Sequence, residues 1–293
     1  MSKGRVRTYD ELLARYAIER SDVEREPVRL GFGSIDADLR GVSPGQVLGF
    51  AARSGTGKTW FLGTVADAFA ARTDAGCLVL SLEQPGPEWV ERSLAIHADV
   101  SPEQVEEAAR ERRLGDLAGG FLERMRNARV VDEPLTLDDV PAALQEARDS
   151  LQVPLRLVLV DYLGLLRTAG TDAYQRASAL GVGLKALAKS EDVPIVVAVQ
   201  LSRAGGDGSQ PVSMDMLRDS GVLEESLDFL LGAWRPGKQK DLPLPDAISL
   251  RDVLRVAVLK NRKGPDGRQV DLHFRPDSRR LYEEADPFSS ELV

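Results

Sequence analysis

Residues 52–59, Ala-Arg-Ser-Gly-Thr-Gly-Lys-Thr, have the spacing of a phosphate-binding loop between a strand and a helix. In such a loop, backbone N–H groups surround the β-phosphate, Lys58 reaches the β- and γ-phosphates, and the Thr59 hydroxyl binds Mg²⁺. Ala52 replaces the usual first glycine, which is tolerable if its φ stays negative. The sequence therefore predicts that ATP and Mg²⁺ bind here. The predicted nucleotide contacts are Ala52, Arg53, Ser54, Gly55, Thr56, Gly57, Lys58, Thr59 and Trp60.

Polar residues at the ends of other strand-like segments extend this prediction to hydrolysis. Asp161 ends the apolar run LRLVLVD, where a carboxylate can orient Mg²⁺ through water. Glu83 follows LVLSL and can polarise an attacking water, and Gln200 ends IVVAVQ, where an amide can sense the γ-phosphate. Lys260 and Arg262 fall on one face of a late strand and suit an arginine-finger role toward a neighbouring copy.

Each of these residues also has an ordinary structural explanation. A glycine-rich turn can precede a helix by chance, an aspartate can cap a helix, and a glutamate or a basic pair can simply be solvated at a strand end. The flanking strand and amphipathic helix weaken the first alternative. The joint occurrence of Lys58 and Asp161 weakens the second, so nucleotide hydrolysis is the favoured interpretation.

The elements that must position these residues alternate between strands and helices. The apolar runs at 155–163 and 193–200 suit strands that are buried on both faces of a parallel sheet. Further strands are expected at 46–52, 76–83, 128–133, 227–234, 253–260 and 269–274, and helices after the phosphate loop, over 87–98 and over 174–190. The pattern predicts an α/β fold, with a mostly parallel sheet flanked by helices and extended by antiparallel C-terminal strands.

Composition narrows the possible functions and locations. The 293 residues carry a net charge of −8, whereas a protein that coats duplex DNA through bulk charge is usually basic. Any nucleic-acid contact must then come from local loops or an assembled ring. No apolar run approaches the ~20 residues that span a bilayer, no secretory signal is present, and the single cysteine, Cys77, excludes an internal disulfide. We expect a cytoplasmic protein without membrane contact.

With these elements in order, the chain from about Gly31 to Tyr282 resembles the C-terminal ATPase domain of replicative DnaB-type helicases, within the RecA-like superfamily. That family also commonly begins its phosphate loop with alanine. No segment resembles the family's helical N-terminal domain, which we expect to be missing. The resemblance lies in GFGSIDADLRGVSPGQVLGFAARSGTGKT, LSLEQPGPEWVERSLA, LVLVDYLGLLR, LKALAKSEDVPIVVAVQLSR and VLKNRKGPDG, which carry the phosphate loop, Glu83, Asp161, Gln200, and Lys260 with Arg262.

The resemblance implies a RecA-like P-loop NTPase that forms a homo-oligomeric ring, typically of six, with ATP between neighbours and single-stranded DNA through the centre. Pore loops at 167–174 and 203–214 would hold the DNA, with Arg167, Arg203, Gly205 and Gly206 as candidate contacts. Residues 1–27 would form a helix and linker that dock on the adjacent subunit, and residues 28–293 the ATPase domain. A protein loader or a primase-like protein is a further expected partner.

Two functions from different classes fit these expectations. The first is an ATP-driven helicase or translocase on single-stranded DNA. The second is a RecA-like oligomeric ATPase that acts as a switch, loader or scaffold without unwinding, which the acidic charge and the thin positive charge of the second pore loop favour. Stimulation of the ATPase by single-stranded DNA separates them.

Overall fold

The computed structural model describes residues 8–22, 25–201, 207–216 and 221–284. The strands in these ranges are β1 Val47–Ala52, β2 Gly76–Ser81, β3 Ala128–Val131, β4 Leu155–Asp161, β5 Ile195–Gln200, β6 Phe229–Trp234, β7 Val253–Asn261, β8 Gln269–Phe274 and β9 Leu281–Tyr282. The α-helices are α1 Tyr9–Ser21, α2 Gly33–Leu39, α3 Lys58–Arg72, α4 Gly86–Ala98, α5 Pro102–Arg110, α6 Leu114–Leu117, α7 Phe121–Arg124, α8 Val140–Ser150, α9 Ala173–Glu191, α10 Gly221–Ser226 and α11 Leu244–Ser249.

The described strands form a single sheet in the order β3-β2-β4-β5-β1-β6-β7-β8-β9. The pairings from β3 to β6 are all parallel. The pairings from β6 to β9 are antiparallel. The sequence prediction of a parallel sheet extended by antiparallel C-terminal strands is confirmed.

Two apolar layers cover the two faces of the sheet. All six residues of β1 are buried, as a strand covered on both faces requires. On one face the rings of Phe50 and Phe61 stack with centroids 3.8 Å apart, which fixes α3 against β1. On the other face Leu144 of α8 and Leu184 of α9 lie in the second layer, against β4 and β5. Buried packing on both faces therefore holds β1 and the start of α3 in place.

The predicted N-terminal helix is present as α1. It begins with a capping box in which the Thr8 hydroxyl accepts from the Glu11 N–H and the Glu11 carboxylate accepts from the Thr8 N–H. Leu13 and Tyr9 are 67% and 92% exposed, so this helix presents apolar side chains to solvent. Arg25 joins the segment after it to the core through an ion pair with Asp192.

Among the described residues, none of the helices has both the length and the apolar character needed to cross a bilayer.

Candidate active site

Four neighbouring parallel strands bring the predicted site residues to one edge of the sheet. In the order β2, β4, β5 and β1, their carboxyl ends lead to Glu83, Asp161, Gln200 and the phosphate loop. Ligands of open α/β sheets bind at this edge, because loops and helix N-termini converge there. The register is direct at the centre of the site, where Ala52 pairs with Gln200.

The phosphate loop has the backbone that its glycines predict. Gly55 and Gly57 have φ values of 69° and 126°, a region that other residues rarely occupy. A Cβ on Gly57 would also lie 2.7 Å from the ring of Phe274, so this position excludes any side chain. Ala52 is buried at the end of β1 and is not among the residues with positive φ. An alanine therefore fits where such loops usually have glycine.

Lys58 occupies the first turn of α3, where backbone N–H groups have no partner within the helix. Its side chain is buried, and its Nζ lies 3.4 Å from Oε1 of Gln200 and 3.5 Å from the carbonyl oxygen of Arg53. Burial lowers the pKa of Lys58, while the nearby carboxylates of Glu83 and Asp161 oppose that shift. An anionic ligand would supply the counter-charge that a buried ammonium needs.

Asp161 is the clearest sign of a cation site. It is only 1% exposed, and neither carboxylate oxygen has a hydrogen-bond partner at normal distance among the described residues. Burial raises the pKa of Asp161, and the nearby Thr59 hydroxyl only partly offsets this shift. A buried carboxylate without a partner is costly. Together with the Thr59 hydroxyl, it can hold a hydrated Mg²⁺, a cation that prefers oxygen ligands and keeps several waters.

A cavity of about 260 Å³ lies over the phosphate loop. Glu83 lines it from the β2 side, where its backbone N–H donates to the carbonyl oxygen of Asp161 over 3.1 Å. Three arginines that the sequence analysis did not single out also line it, namely Arg92, Arg235 and Arg279. With Lys58 they form a positive wall opposite one carboxylate, Glu83. That distribution suits a polyanion beside a water-activating base.

The phosphate loop also contacts the chain on either side of residues 202–206. Nη1 of Arg53 donates to the carbonyl oxygen of Leu201 over 2.8 Å. Gly208 has a φ of 89°, and a Cβ there would lie 2.9 Å from the Thr56 hydroxyl oxygen. Gln200 reaches the loop through Lys58. A change at the bound phosphates therefore has contacts through which it can reach residues 201 and 208.

Lys260 and Arg262 lie at the opposite edge of the sheet. β7 runs antiparallel to β6, and Asn261 pairs with Phe229, which pairs with Leu48 near the start of β1. The phosphate loop follows the far end of that strand, about 17 Å away at ~3.3 Å per residue. Lys260 and Arg262 therefore lie far from the phosphate loop of their own chain. Both contact the end of α10, as expected for side chains on one face.

Of the predicted DNA contacts, Arg167 is exposed after a short 3₁₀ helix, and its backbone bridges to residues 135–137. Arg203, Gly205 and Gly206 lie outside the described residues.

A comparison with known families decides what kind of protein carries this site. Residues 27–283 match the model of the DnaB-like helicase C-terminal domain, which is nearly the whole described chain. The chain belongs to this family. The resemblance stated from the sequence is confirmed.

Curated DnaB relatives and solved structures agree with this assignment. The replicative DNA helicase DnaB of Mycoplasma genitalium is 31% identical over 264 residues, covering 85% of this chain and 54% of the relative. The DnaB of Mycoplasma pneumoniae is 30% identical, covering 93% of this chain and 59% of the relative. The chain spans somewhat more than half the length of these relatives.

Two solved structures share the fold of this DnaB-like domain. One, the isolated ATPase domain of another protein, superposes with a TM-score of 0.80 at 23% identity, covering 94% of this chain and 98% of that one. A DnaB-like replicative helicase, solved in a study of its interactions with primase, has a TM-score of 0.76 at 23% identity, covering 96% of this chain and 68% of that one.

For this DnaB-like chain, we expect Asp161→Asn to raise the melting temperature of the nucleotide-free protein by roughly 2 °C or more. Burial disfavours the charged form of Asp161 in the folded state, and the amide removes that cost. The gain should shrink as the pH falls toward the raised pKa of Asp161, because protonation then neutralises the wild-type carboxylate too. Thermal unfolding at several pH values measures it. Asp266→Asn, at an exposed carboxylate, is the control, and an unchanged or lower melting temperature for Asp161→Asn contradicts the prediction.

Proposed function

We propose that this chain hydrolyses ATP at the interfaces of a homo-oligomeric ring, with six copies as in its family, and uses that hydrolysis to move along or unwind single-stranded DNA. The observation that carries the proposal is the division of the site between two edges of one sheet. Lys58, Glu83 and Asp161 surround one cavity, while Lys260 and Arg262 lie at the far edge. Two copies placed head to tail would bring the two edges together.

Each residue at the cavity edge has a role in this proposal. Lys58 and the N–H groups at the start of α3 bind the β- and γ-phosphates. Thr59 and Asp161 hold Mg²⁺, which neutralises charge that develops on the phosphates. Glu83 orients and polarises the attacking water. Gln200, in contact with Lys58, senses the loss of the γ-phosphate and passes it to the chain that follows β5.

The residues present fit ATP and Mg²⁺. The cavity is lined by four cationic side chains, those of Lys58, Arg92, Arg235 and Arg279. Burial lowers the pKa of Arg235 as well as that of Lys58, so both cations lack counter-charge in the nucleotide-free protein. The unpartnered oxygens of Asp161 meet the requirement for a cation. Arg92, on α4 directly beyond Glu83, is placed to contact the terminal phosphates from the same subunit.

The exposed apolar face of α1 supports the homo-oligomer. Tyr9, Leu12, Leu13 and Tyr16 follow i, i+3, i+4 and i+7 spacing and are 45% to 92% exposed, which suits a helix that packs on another surface. The ion pair between Arg25 and Asp192 joins the segment after α1 to its own core. We propose that α1 docks on the adjacent subunit as an arm, with residues 28–293 as the ATPase unit.

The partner that lies in the ring is less constrained by the described residues. The net charge of −8 argues against DNA binding through the whole surface, so the contacts are assigned to the loops at 167–174 and 203–214. The same charge favours the second candidate, an oligomeric ATPase that acts as a switch, loader or scaffold. A protein loader or primase-like partner is compatible with either function.

The steady-state ATPase rate with and without single-stranded DNA tests the proposal. We expect DNA to raise the rate, and the effect to weaken as the salt concentration rises from low to physiological, because phosphate contacts release counterions. Duplex DNA at the same nucleotide concentration is the control. Hydrolysis that is indifferent to single-stranded DNA at both salt concentrations would exclude the motor and favour the switch or scaffold.

A further inference from the structure

A buried carboxylate joins the finger strand to the core. Asp228, between α10 and β6, is 3% exposed. Its Oδ2 accepts from the Val47 N–H over 2.8 Å and from Nζ of Lys185 over 2.6 Å. Its Oδ1 accepts from Nη1 of Arg262 over 3.1 Å. One oxygen is thus bound to β1 and α9, and the other holds the guanidinium.

Arg262 is held at more than one point. Its Nη2 donates to the carbonyl oxygen of Glu225 over 2.8 Å, and its backbone N–H donates to the carbonyl oxygen of Asp228 over 3.2 Å. The two side-chain bonds take one N–H from each terminal nitrogen of a group that carries five. The Arg262 side chain is 49% exposed. The guanidinium can therefore stay on Asp228 and Glu225 and still present other N–H groups to an acceptor outside the chain.

The core does not need Arg262 to neutralise Asp228. Lys185 already forms an ion pair with the carboxylate, and it also donates to the carbonyl oxygen of Gly45 over 2.7 Å. With the Val47 N–H, this leaves Asp228 compensated whether or not Arg262 is bound. The contact with Oδ1 is therefore available for a purpose other than stability.

We propose that Asp228 is the positioning residue for the Arg262 finger. This inference rests on the proposed shared site. Val47 is the first residue of β1, and the phosphate loop follows the last. By binding Val47 and Arg262 through its two oxygens, Asp228 fixes the finger relative to the strand that carries its own subunit's nucleotide. Successive sites in the ring are thereby set at a fixed spacing, and the guanidinium meets the neighbour's γ-phosphate already oriented.

Mixed rings separate the subunit that donates the finger from the one that receives it. A Lys58→Ala chain cannot bind ATP productively but can donate Arg262, and an Arg262→Ala chain can bind ATP but needs a donor. We expect Asp228→Asn in the donor chain to lower the turnover of the mixture by roughly 100-fold, the effect of misplacing a positioned group. The binding affinity of the receiver for a fluorescent ATP analogue should not change.

The same substitution in the receiver chain measures any general damage, because the finger is already absent there. We expect a much smaller loss in that arrangement. Equal losses in the two arrangements, or no loss in the donor, overturn the inference. An inactive mixture of the two parent chains would instead overturn the shared site, and the inference with it.

A second variant covers the case in which Asp228→Asn does not fold. Asp228→Glu keeps the charge that faces Lys185 and Val47 but moves the carboxylate by one methylene. We expect a smaller loss that is again confined to the donor chain, with the melting temperature measured alongside. Full activity of an Asp228→Glu donor that remains folded would overturn the inference.

Discussion

Lys58→Ala is expected to lower ATP turnover by at least roughly 10²- to 10³-fold, the range for losing one charge-stabilising donor at a transition state. The ammonium is buried beside Gln200, and its lowered pKa shows that the protein supplies it with too little negative charge. Binding a triphosphate corrects that deficit, so the variant should lose nucleotide affinity as well as turnover. Steady-state hydrolysis and titration with a fluorescent ATP analogue measure the two effects.

Two variants make the result for Lys58 specific. Lys238→Ala removes a lysine whose Nζ bonds the Gly55 carbonyl oxygen over 3.1 Å but which does not line the cavity, and it should keep most of the turnover. Glu83→Gln should keep nucleotide binding and lose hydrolysis, because it removes only the base. Normal turnover in Lys58→Ala would mean that the cavity over the phosphate loop is not the hydrolytic site.

Arg262→Ala is expected to lower turnover by about 10³-fold or more, the typical effect of removing an arginine finger. The loss should be repaired when the variant is mixed with Lys58→Ala. Arg262 lies at the edge of the sheet opposite its own phosphate loop, so it can act only on a neighbour. At some interfaces of the mixture an intact cavity meets an intact finger. Turnover as a function of the mixing ratio should pass through a maximum, with each variant alone near zero.

Arg268→Ala provides the matched control for Arg262. Arg268 lies just before β8, is 52% exposed, and also pairs with a carboxylate, that of Asp38. Its removal should leave turnover close to that of the wild type. A mixture that shows only the sum of its two inactive parents would exclude action in trans and, with it, the shared site.

The sequence predicted the fold and the centre of the site because both depend on local signals. Apolar runs that end in a polar residue marked β4 and β5, and parallel pairing places such ends side by side, so Asp161 and Gln200 meet without long-range information. The glycines of the phosphate loop reported its backbone directly. The acceptability of Ala52 depended on one backbone angle, and the structure bears it out.

The rest of the cavity was not predicted because it depends on tertiary packing. Arg235 follows β6 at the same edge as Gln200, so the strand-end argument could have found it. Arg92 lies within α4, where only the direction of the helix brings it back over the phosphate loop. Arg279 lies in the turn between β8 and β9, for which the sequence offers no signal. Asp228 looked like one polar residue before an apolar strand, and only its three contacts reveal its position.

With hydrolysis shared as proposed, the separation of cavity and finger to opposite edges determines how many sites an assembly contains. An open row of copies has an unserved cavity at one end and an unused finger at the other, so it always has one working site fewer than it has chains. A pair of chains would hydrolyse ATP at half of its cavities, and longer rows would approach full use. Closing the row converts the two idle ends into a working site, so ring closure itself adds catalytic capacity without adding a subunit.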